Sequence, residues 1–508
     1  MNIINYRHQH NIKIYNSLTG TKELFIPLNK KYIGIYVCGP TVYNYIHLGN
    51  CRTFILFDFI VRYFKHLNYK IRYVRNITDV GHLEENDEDK ISIRSRIEGL
   101  EPMELVQKYT IFFHKILQLF NLLPPNIEPI ATGHIIEQID IITQLLNNNI
   151  AYEKNGSVYF NIEKYNQEFS DLYGPYGSLS NNDINQLINK NYHFLTEKKK
   201  FHDFALWKKA KYNHIMYWNS PWGKGFPGWH IECTTMSTKY LGTHFDIHGG
   251  GIDLKFPHHE CEIAQAIGIN KKMLSRYWIH TNILTYQGKK MSKSKGNVVD
   301  INNLLNNNKF HPTIIRYYLL TYHYRSILNF SEQGIKNSEK GYLKLMRTIN
   351  IIDKILHTTT TTTTTTTTHT HHTIPIHSNN NTNTLNFDIL QWIKDCYYAI
   401  DDDFNTPLLI SHLFKIYKIT HCDYIYNIKL SDIHLLKMYM HYFLFDIMGL
   451  EMMNKQNLDK TSKNIHKIIE FLIELRIEER IKKNWIVSDK IRYLLSLIGI
   501  KLQDKKIN

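Results

Sequence analysis

The chain is poor in cysteine, with six in 508 residues. That excludes a small disulfide-built scaffold and leaves free thiols or metal ligands. It has no CxxC pair, so it carries no compact zinc finger. No stretch approaches the roughly 20 consecutive apolar residues of a membrane span. Residues 1–18 lack an apolar core and a small-residue cleavage site, so no secretory signal is expected. Acidic residues are outnumbered, 46 to 61, for a formal charge of +15. Such a balance suits a polyanionic partner such as nucleic acid. Drift toward Lys in a chain also rich in Ile, Asn and Tyr gives the same sign without function. What is present, 43% apolar and 13% aromatic residues, excludes a disordered or fibrous chain. The length allows about three domains. A soluble intracellular protein is expected, cytoplasmic with an organelle left open.

An apolar run over 32–37 ends in Cys38-Gly39-Pro40 and reads as a buried strand stopped by turn residues. The periodic stretch over 48–67 reads as a helix and 69–74 as a second strand, together a parallel βαβ unit. Ligands of such sheets bind beyond the carboxyl ends of the strands, where Cys38 and Asn76-Ile77-Thr78-Asp79 fall. Residues 83–200 look mostly helical, with a Gly/Asn-rich patch over 173–185. A second strand-and-turn region, 228–268, holds His244 to His248 and then Gly249 to Gly251, a trio that lets backbone approach a ligand closely. From residue 331 the pattern is helical to the end. Thr358 to Thr368 and the His/Asn/Thr-rich sequence to 386 interrupt it and read as a disordered surface insertion.

Three segments carry chemistry together: Tyr36 to Tyr43 leading into His47-Leu48-Gly49-Asn50; Gly228 to Cys233 continuing to Phe256 to Glu262; and Lys290-Met291-Ser292-Lys293-Ser294. Alone, His47 and Asn50 would read as a helix cap and the lysines as a basic loop. Their combination resembles the cysteinyl-tRNA synthetase family of class I aminoacyl-tRNA synthetases, over about 12–350 and again over 386–504.

The resemblance implies an α/β fold: a Rossmann-like parallel-sheet catalytic domain with a helical insertion, then a helical bundle and a small C-terminal anticodon-binding module. The catalytic halves are expected at 12–145 and 204–267, around a connective insertion at 146–203. A stem-contact region with the lysine loop is expected at 268–330, the bundle at 331–450 with its insertion at 357–386, and the anticodon module at 464–508. Cys38, Cys233, His258 and Glu262 match the family's zinc ligands, one zinc per chain; His258 and Glu262, four apart, share a helix face. His259 and Glu260 are expected beside the ligands or facing along the helix, and Cys51, Cys261, Cys396 and Cys422 as structural thiols.

His47, Asn50, Lys290 and Lys293 match catalytic positions. His47 and Asn50 sit at a helix N-terminus that favours phosphate, and the lysines meet the charge growing on departing pyrophosphate. Asn50 stands where the signature usually has histidine. Gly39, Thr41, Thr78 and Trp229 match the cysteine pocket. His248, Gly249, Gly250, Gly251 and Asp253 match the adenosine site, shared with His47, Asn50 and Lys293. Arg480, Trp485 and Asp489 match tRNA contacts, stacking on and hydrogen-bonding an unstacked anticodon. The sequence ends without the family's Gly-Thr-x-Trp-like tail, which implies reduced anticodon reading.

The implied activity joins L-cysteine to ATP, with magnesium, and then to its tRNA, through zinc that selects thiolate over a serine hydroxyl. A monomer with no membrane partner is expected. The rival readings are a ligase passing cysteine to a small amine, a nucleotidyltransferase, and a non-catalytic RNA-binding or amino-acid-sensing relative. The long helical C-terminal region argues against the first. The four zinc ligands argue against the second, and with an intact lysine loop they argue against the third.

Overall fold

The computed structural model describes residues 10–82, 88–181, 197–212, 214–291, 299–305, 309–364, 387–421, 425, 428–453, 471–480, 482 and 484–497. The chain divides into two compact units, 1–450 and 451–508.

In the first unit, β1 (Lys13–Asn16) and β2 (Thr21–Leu24) form an antiparallel hairpin. Next come β3 (Ile33–Val37), α1 (Leu48–His66) and β4 (Ile71–Arg75), close to the expected spans. All of β3 is buried, which is why it reads as an unbroken apolar run. Helix α1 is buried around most of its circumference, and most of its buried side chains are apolar.

Among the described residues of the stretch expected to be helical, four helices follow: α2 (Lys90–Glu98), α3 (Pro102–Leu119), α4 (Ile135–Asn147) and α5 (Ile162–Tyr173). The stretch also holds a β-hairpin that the helical expectation left out. Strands β5 (Ala151–Lys154) and β6 (Ser157–Phe160) are joined by Asn155-Gly156. Both turn residues have positive φ, 57° and 81°, as a two-residue hairpin turn requires. With β7 (Phe204–Lys209) and β8 (Gly225–Pro227) they make an antiparallel sheet ordered β5-β6-β7-β8.

Helix α6 (Trp229–Leu241) leads to β9 (Phe245–Gly251), α7 (Glu260–Asn270) and β10 (Ser275–Thr281). The central sheet runs β10-β9-β3-β4 with every pairing parallel. Its register sets Tyr36, His248 and Trp278 in one row across three strands. One hydrophobic core includes Tyr36 and Trp278 of this sheet with Phe160, Trp207 and Phe226 of the other.

A third sheet is ordered β12-β11-β13, from β11 (Leu284–Tyr286), β12 (Lys289–Lys290) and β13 (Leu328–Phe330). Arg52, 3% exposed, ties α1 to this region: its guanidinium donates to the carbonyls of Asn282 and Ile283 (3.0 Å each), His323 (3.0 Å) and Ser326 (2.7 Å).

Among the described residues there follow helices α8 (Ile301–Leu305), α9 (Pro312–Leu320), α10 (Glu332–Thr364), α11 (Ile389–Asp401), α12 (Thr406–Thr420) and α13 (Leu430–His441), the last running on into a wider helical turn over Tyr442–Ile447. The expectation of disorder across the threonine run needs correction at its start, because α10 continues to Thr364. The Thr358 hydroxyl bonds back to the Lys354 and Ile355 carbonyls, at 2.6 and 3.2 Å, which suits a helix in progress. Residues 365–386 lie outside the described residues. Among those described, no helix is long and apolar enough to cross a membrane.

The second unit shows a helix over 471–480, α14, and then α15 (Trp485–Leu497).

Candidate active site

A cleft of about 520 Å³ opens at the carboxyl ends of the central strands. Cys38, Thr41, His47, Asn50, Trp229 and Asp253 all line it, as do Gly39, Gly251 and Met291. The α1 N-terminus faces it through a reciprocal cap. The Asn50 N–H donates to His47 Nδ1 at 3.3 Å, and the His47 N–H donates to Asn50 Oδ1 at 3.1 Å. The two residues that close the helix thus also present its positive end to the cleft, an arrangement suited to an anion.

Gly39 is where two strand ends nearly touch. Its N–H donates to Asn76 Oδ1 at 2.8 Å, and a Cβ there would fall 1.5 Å from the Asn76 carbonyl oxygen. Thr78, expected in the cysteine pocket, is 1% exposed and is not among the cleft-lining residues; its hydroxyl accepts from Asn76 Nδ2 at 3.1 Å. Thr41 bridges to Thr78 through backbone and occupies the cleft wall.

Beside the cleft, Cys38, Cys233, His258 and Glu262 bring one donor atom each within 4.8 Å of all the others. Cys38 leaves the end of β3, Cys233 lies in α6, and Glu262 lies in the first turn of α7. His258 comes from the 255–259 turn just ahead of α7, so the pair four apart spans the junction rather than sitting within one regular helix. Cys38 Sγ is 3.7 Å from Cys233 Sγ and 3.6 Å from Glu262 Oε1, and His258 Nε2 is 3.1 Å from that same oxygen.

All four residues are buried. Burial pushes the Cys38 thiol and the Glu262 carboxyl well up and the His258 imidazole well down. Protein alone thus disfavours the charged forms of Cys38, His258 and Glu262. A cation among them would supply the missing charge and stabilise thiolate and carboxylate.

His259, expected only as a neighbour, is closer to the chemistry: its Nε2 is 3.4 Å from Cys38 Sγ, and its Nδ1 is 2.7 Å from His280 Nε2. Cys38, His248, His259 and Glu262 form a second set with ligand spacing. Glu260 instead accepts from the Gly177 and Ser180 N–H groups and the Ser180 hydroxyl, which pins the 174–181 turn.

His248, expected at the adenosine site, is fully buried behind the cleft. Its Nε2 lies 2.8 Å from Glu262 Oε2 and its ring stacks on Trp278, centroids 4.4 Å apart. The Gly249 carbonyl accepts from the Cys38 N–H at 3.1 Å, and neither Gly249 nor Gly250 lines the cleft; Gly251 and Asp253 do.

The Lys290 backbone lies in β12, opposite Thr285, and carries the chain to the cleft at Met291. Lys293 is outside the described residues. Cys51, Cys261 and Cys396 are buried thiols, with Cys261 Sγ 3.1 Å from the Tyr176 hydroxyl; Cys422 is outside the described residues. In the second unit Trp485 is 55% exposed, the Arg480 guanidinium lies 6.0 Å from its ring centroid, and Asp489 pairs with Arg492 at 3.1 Å.

Two residues that the sequence reading passed over stand at the cleft: His82, stacked on Trp229, and Lys90. Only the threonine-aspartate turn just upstream, at 78–79, pointed toward them.

The four-stranded parallel sheet with a helix N-terminus at its carboxyl edge lies within the span that matches a class I tRNA synthetase catalytic domain, and the chain is a class I aminoacyl-tRNA synthetase. Solved structures agree on the fold. A Mycobacterium tuberculosis methionyl-tRNA synthetase in complex with methionyl-adenylate matches with a TM-score of 0.56 at 13% identity, covering 82% of this chain and 89% of that one. A leucyl enzyme of Agrobacterium radiobacter matches at 0.55 and 10% identity, covering 84% and 85%. The profile of the class I (C) tRNA synthetase catalytic domain matches residues 24–340. The cysteine–tRNA ligase of Bacteroides thetaiotaomicron is 43% identical over 98% of both chains, and that of Chlorobium chlorochromatii is 38% identical over 97% of this chain and 98% of its own. The chain belongs to the cysteine–tRNA ligase family.

Proposed function

We propose that the protein activates L-cysteine with ATP and transfers it to the tRNA for cysteine. The observation that carries this reading is the convergence of Cys38, Cys233, His258 and Glu262 beside the cleft. The metal that fits is zinc. The two thiols stand 3.7 Å apart and Cys38 Sγ is 3.6 Å from Glu262 Oε1, and two sulfurs, an imidazole and a carboxylate this close would suit a zinc ion. Zinc held by these four residues would take the substrate thiolate and not a serine hydroxyl, a distinction for which shape alone supplies only about 10- to 200-fold.

The remaining work belongs to the chain. Thr41 and Trp229 bound the amino-acid pocket next to Cys38, and Gly39 brings the β3 end within reach of the substrate. The α1 N-terminus, with His47 and Asn50, receives the ATP phosphates, and Asp253 accepts from the ribose. The cysteine carboxylate oxygen attacks the α-phosphorus, the bond to the β-phosphate oxygen breaks, and magnesium pyrophosphate leaves. Lys290 and Lys293 meet the charge developing on it. A terminal ribose hydroxyl of the tRNA then attacks the carbonyl carbon, loses its proton and expels AMP. Positioning and charge stabilisation suffice for both steps. Arg480, Trp485 and Asp489 contact the anticodon. The enzyme works as a cytoplasmic monomer.

ATP–pyrophosphate exchange, run with cysteine and serine side by side, tests the reading. Exchange with cysteine alone is expected. Absence of exchange in folded, metal-loaded protein would favour a non-catalytic relative.

A further inference from the structure

We propose that His82 is a positioning residue of the amino-acid pocket, setting the Trp229 indole and turning the Thr41 hydroxyl into a hydrogen-bond donor toward bound cysteine. The inference rests on the pocket reading given above for Thr41 and Trp229.

The His82 ring lies almost parallel to the Trp229 indole, centroids 4.0 Å apart and planes 9° apart. Trp229 makes a second ring contact with His258 at 4.4 Å and 33°. Its neighbour His230 adds a third at 5.2 Å and 37°, so three imidazoles surround one indole, and one of them, His258, belongs to the metal cluster. Trp229 is the first residue of α6, whose N-cap is Gly228 with no side-chain cap, so ring contacts supply orientation that the cap does not.

The polar edge of His82 is equally committed. Lys90 Nζ is 2.8 Å from its Nε2, and Thr41 Oγ1 is 2.8 Å from its Nδ1. An ammonium group has only donors, so Nε2 must accept. Burial, reinforced by the Lys90 charge, pushes the imidazole down to about 3, so the ring is neutral at physiological pH. The single ring proton is then on Nδ1 and is donated to Thr41. The Thr41 hydroxyl, already accepting from His82, keeps its own proton to offer, and Thr41 lines the cleft. Bound cysteine carries two acceptors, and with its thiolate taken up at the metal cluster the carboxylate is the one left for Thr41. Backbone supports the arrangement, since the Lys90 N–H donates to the His82 carbonyl at 3.0 Å.

The test uses full-length, metal-loaded protein, read by cysteine-dependent pyrophosphate exchange and by calorimetric cysteine binding without ATP. His82→Ala loses a stack and a hydrogen bond and should raise the cysteine KM and Kd about tenfold. The ATP KM, kcat and metal content should stay within twofold. His82→Phe keeps the stack and should cost about threefold, matching Thr41→Val, and the double variant should cost no more than either, because both remove one bond.

An unchanged cysteine KM in His82→Ala would overturn the proposal, as would equal rises for cysteine and ATP. If His82→Ala does not fold, His82→Phe decides: a silent His82→Phe beside a costly Thr41→Val would overturn it. Trp229→Ala separates the two readings. A raised cysteine KM there with a silent His82→Ala rejects only the role of His82, whereas a silent Trp229→Ala rejects the pocket itself.

Discussion

Gly39→Ala should disable the enzyme with little scope for relaxation. The added Cβ would fall 1.5 Å from the Asn76 carbonyl oxygen, a backbone atom that cannot swing aside as a side chain would. Ordinary contact begins near 3.4 Å, so one of the two strand ends must move by about 1.9 Å. Either movement reaches the site. Cys38, one residue before, has its sulfur 3.4 to 3.7 Å from three neighbouring donor atoms. Asn76 supports Thr78 and lies 3.8 Å from the Cys233 sulfur. A misplacement of about 1 Å at reacting groups can cost 100-fold, so a loss of at least that size in kcat/KM for cysteine is expected. Overpacking adds a stability cost of about 1–3 kcal/mol. Pyrophosphate exchange, metal content and thermal unfolding measure the three effects. An alanine variant with full metal content and kcat/KM within threefold of the parent would refute the reasoning.

Cys233→Ser should lower bound zinc and cysteine activation together; normal metal content by elemental analysis would remove Cys233 from the site. Arg52→Met removes a charged donor from four partly buried carbonyls, two of which, those of Ile283 and His323, keep a backbone N–H, so urea unfolding should show a loss of about 2–3 kcal/mol; a loss under 1 kcal/mol would show that water replaces it. Asp89→Asn should stabilise the protein in a pH-dependent way. Burial lifts this carboxyl to about 6 from 3.8, so its contribution is favourable below pH 4 and is lost as pH rises through 6, a cost of about 3 kcal/mol once ionised. Asparagine keeps the N-cap bonds to Ile91 and Ser92. The Tm advantage should thus be near zero at pH 4 and clear at pH 8, and identical Tm values at pH 8 would contradict it.

The β3-α1-β4 unit is legible in the sequence because its burial is nearly complete, so apolar runs map directly onto elements. The β5-β6 hairpin escapes a periodicity reading although Asn155-Gly156 announces it, because strands of four residues among long helices leave little pattern to detect. The helix that enters the threonine run escapes for another reason. Threonine supplies no core, yet a helix already nucleated continues at the cost of one residue at a time. The ligand quartet can be assembled only by resemblance, since 195 residues separate its two thiols. His82 and the buried placement of His248 are invisible in the sequence, because stacking on Trp229 and on Trp278 depends on which strand ends meet in space.

That 195-residue separation has a thermodynamic side. An ion joining Cys38 to Cys233 would act as a tether that closes the whole intervening segment, helices and antiparallel sheet included. Closing a loop of that length removes roughly 5 kcal/mol of chain freedom from the unfolded state. The metal that selects the substrate would then also couple the two sides of the central sheet, and chelation would be expected to lower the unfolding temperature as well as abolish activation. An unfolding temperature indifferent to chelation would show that packing alone holds the two sides together.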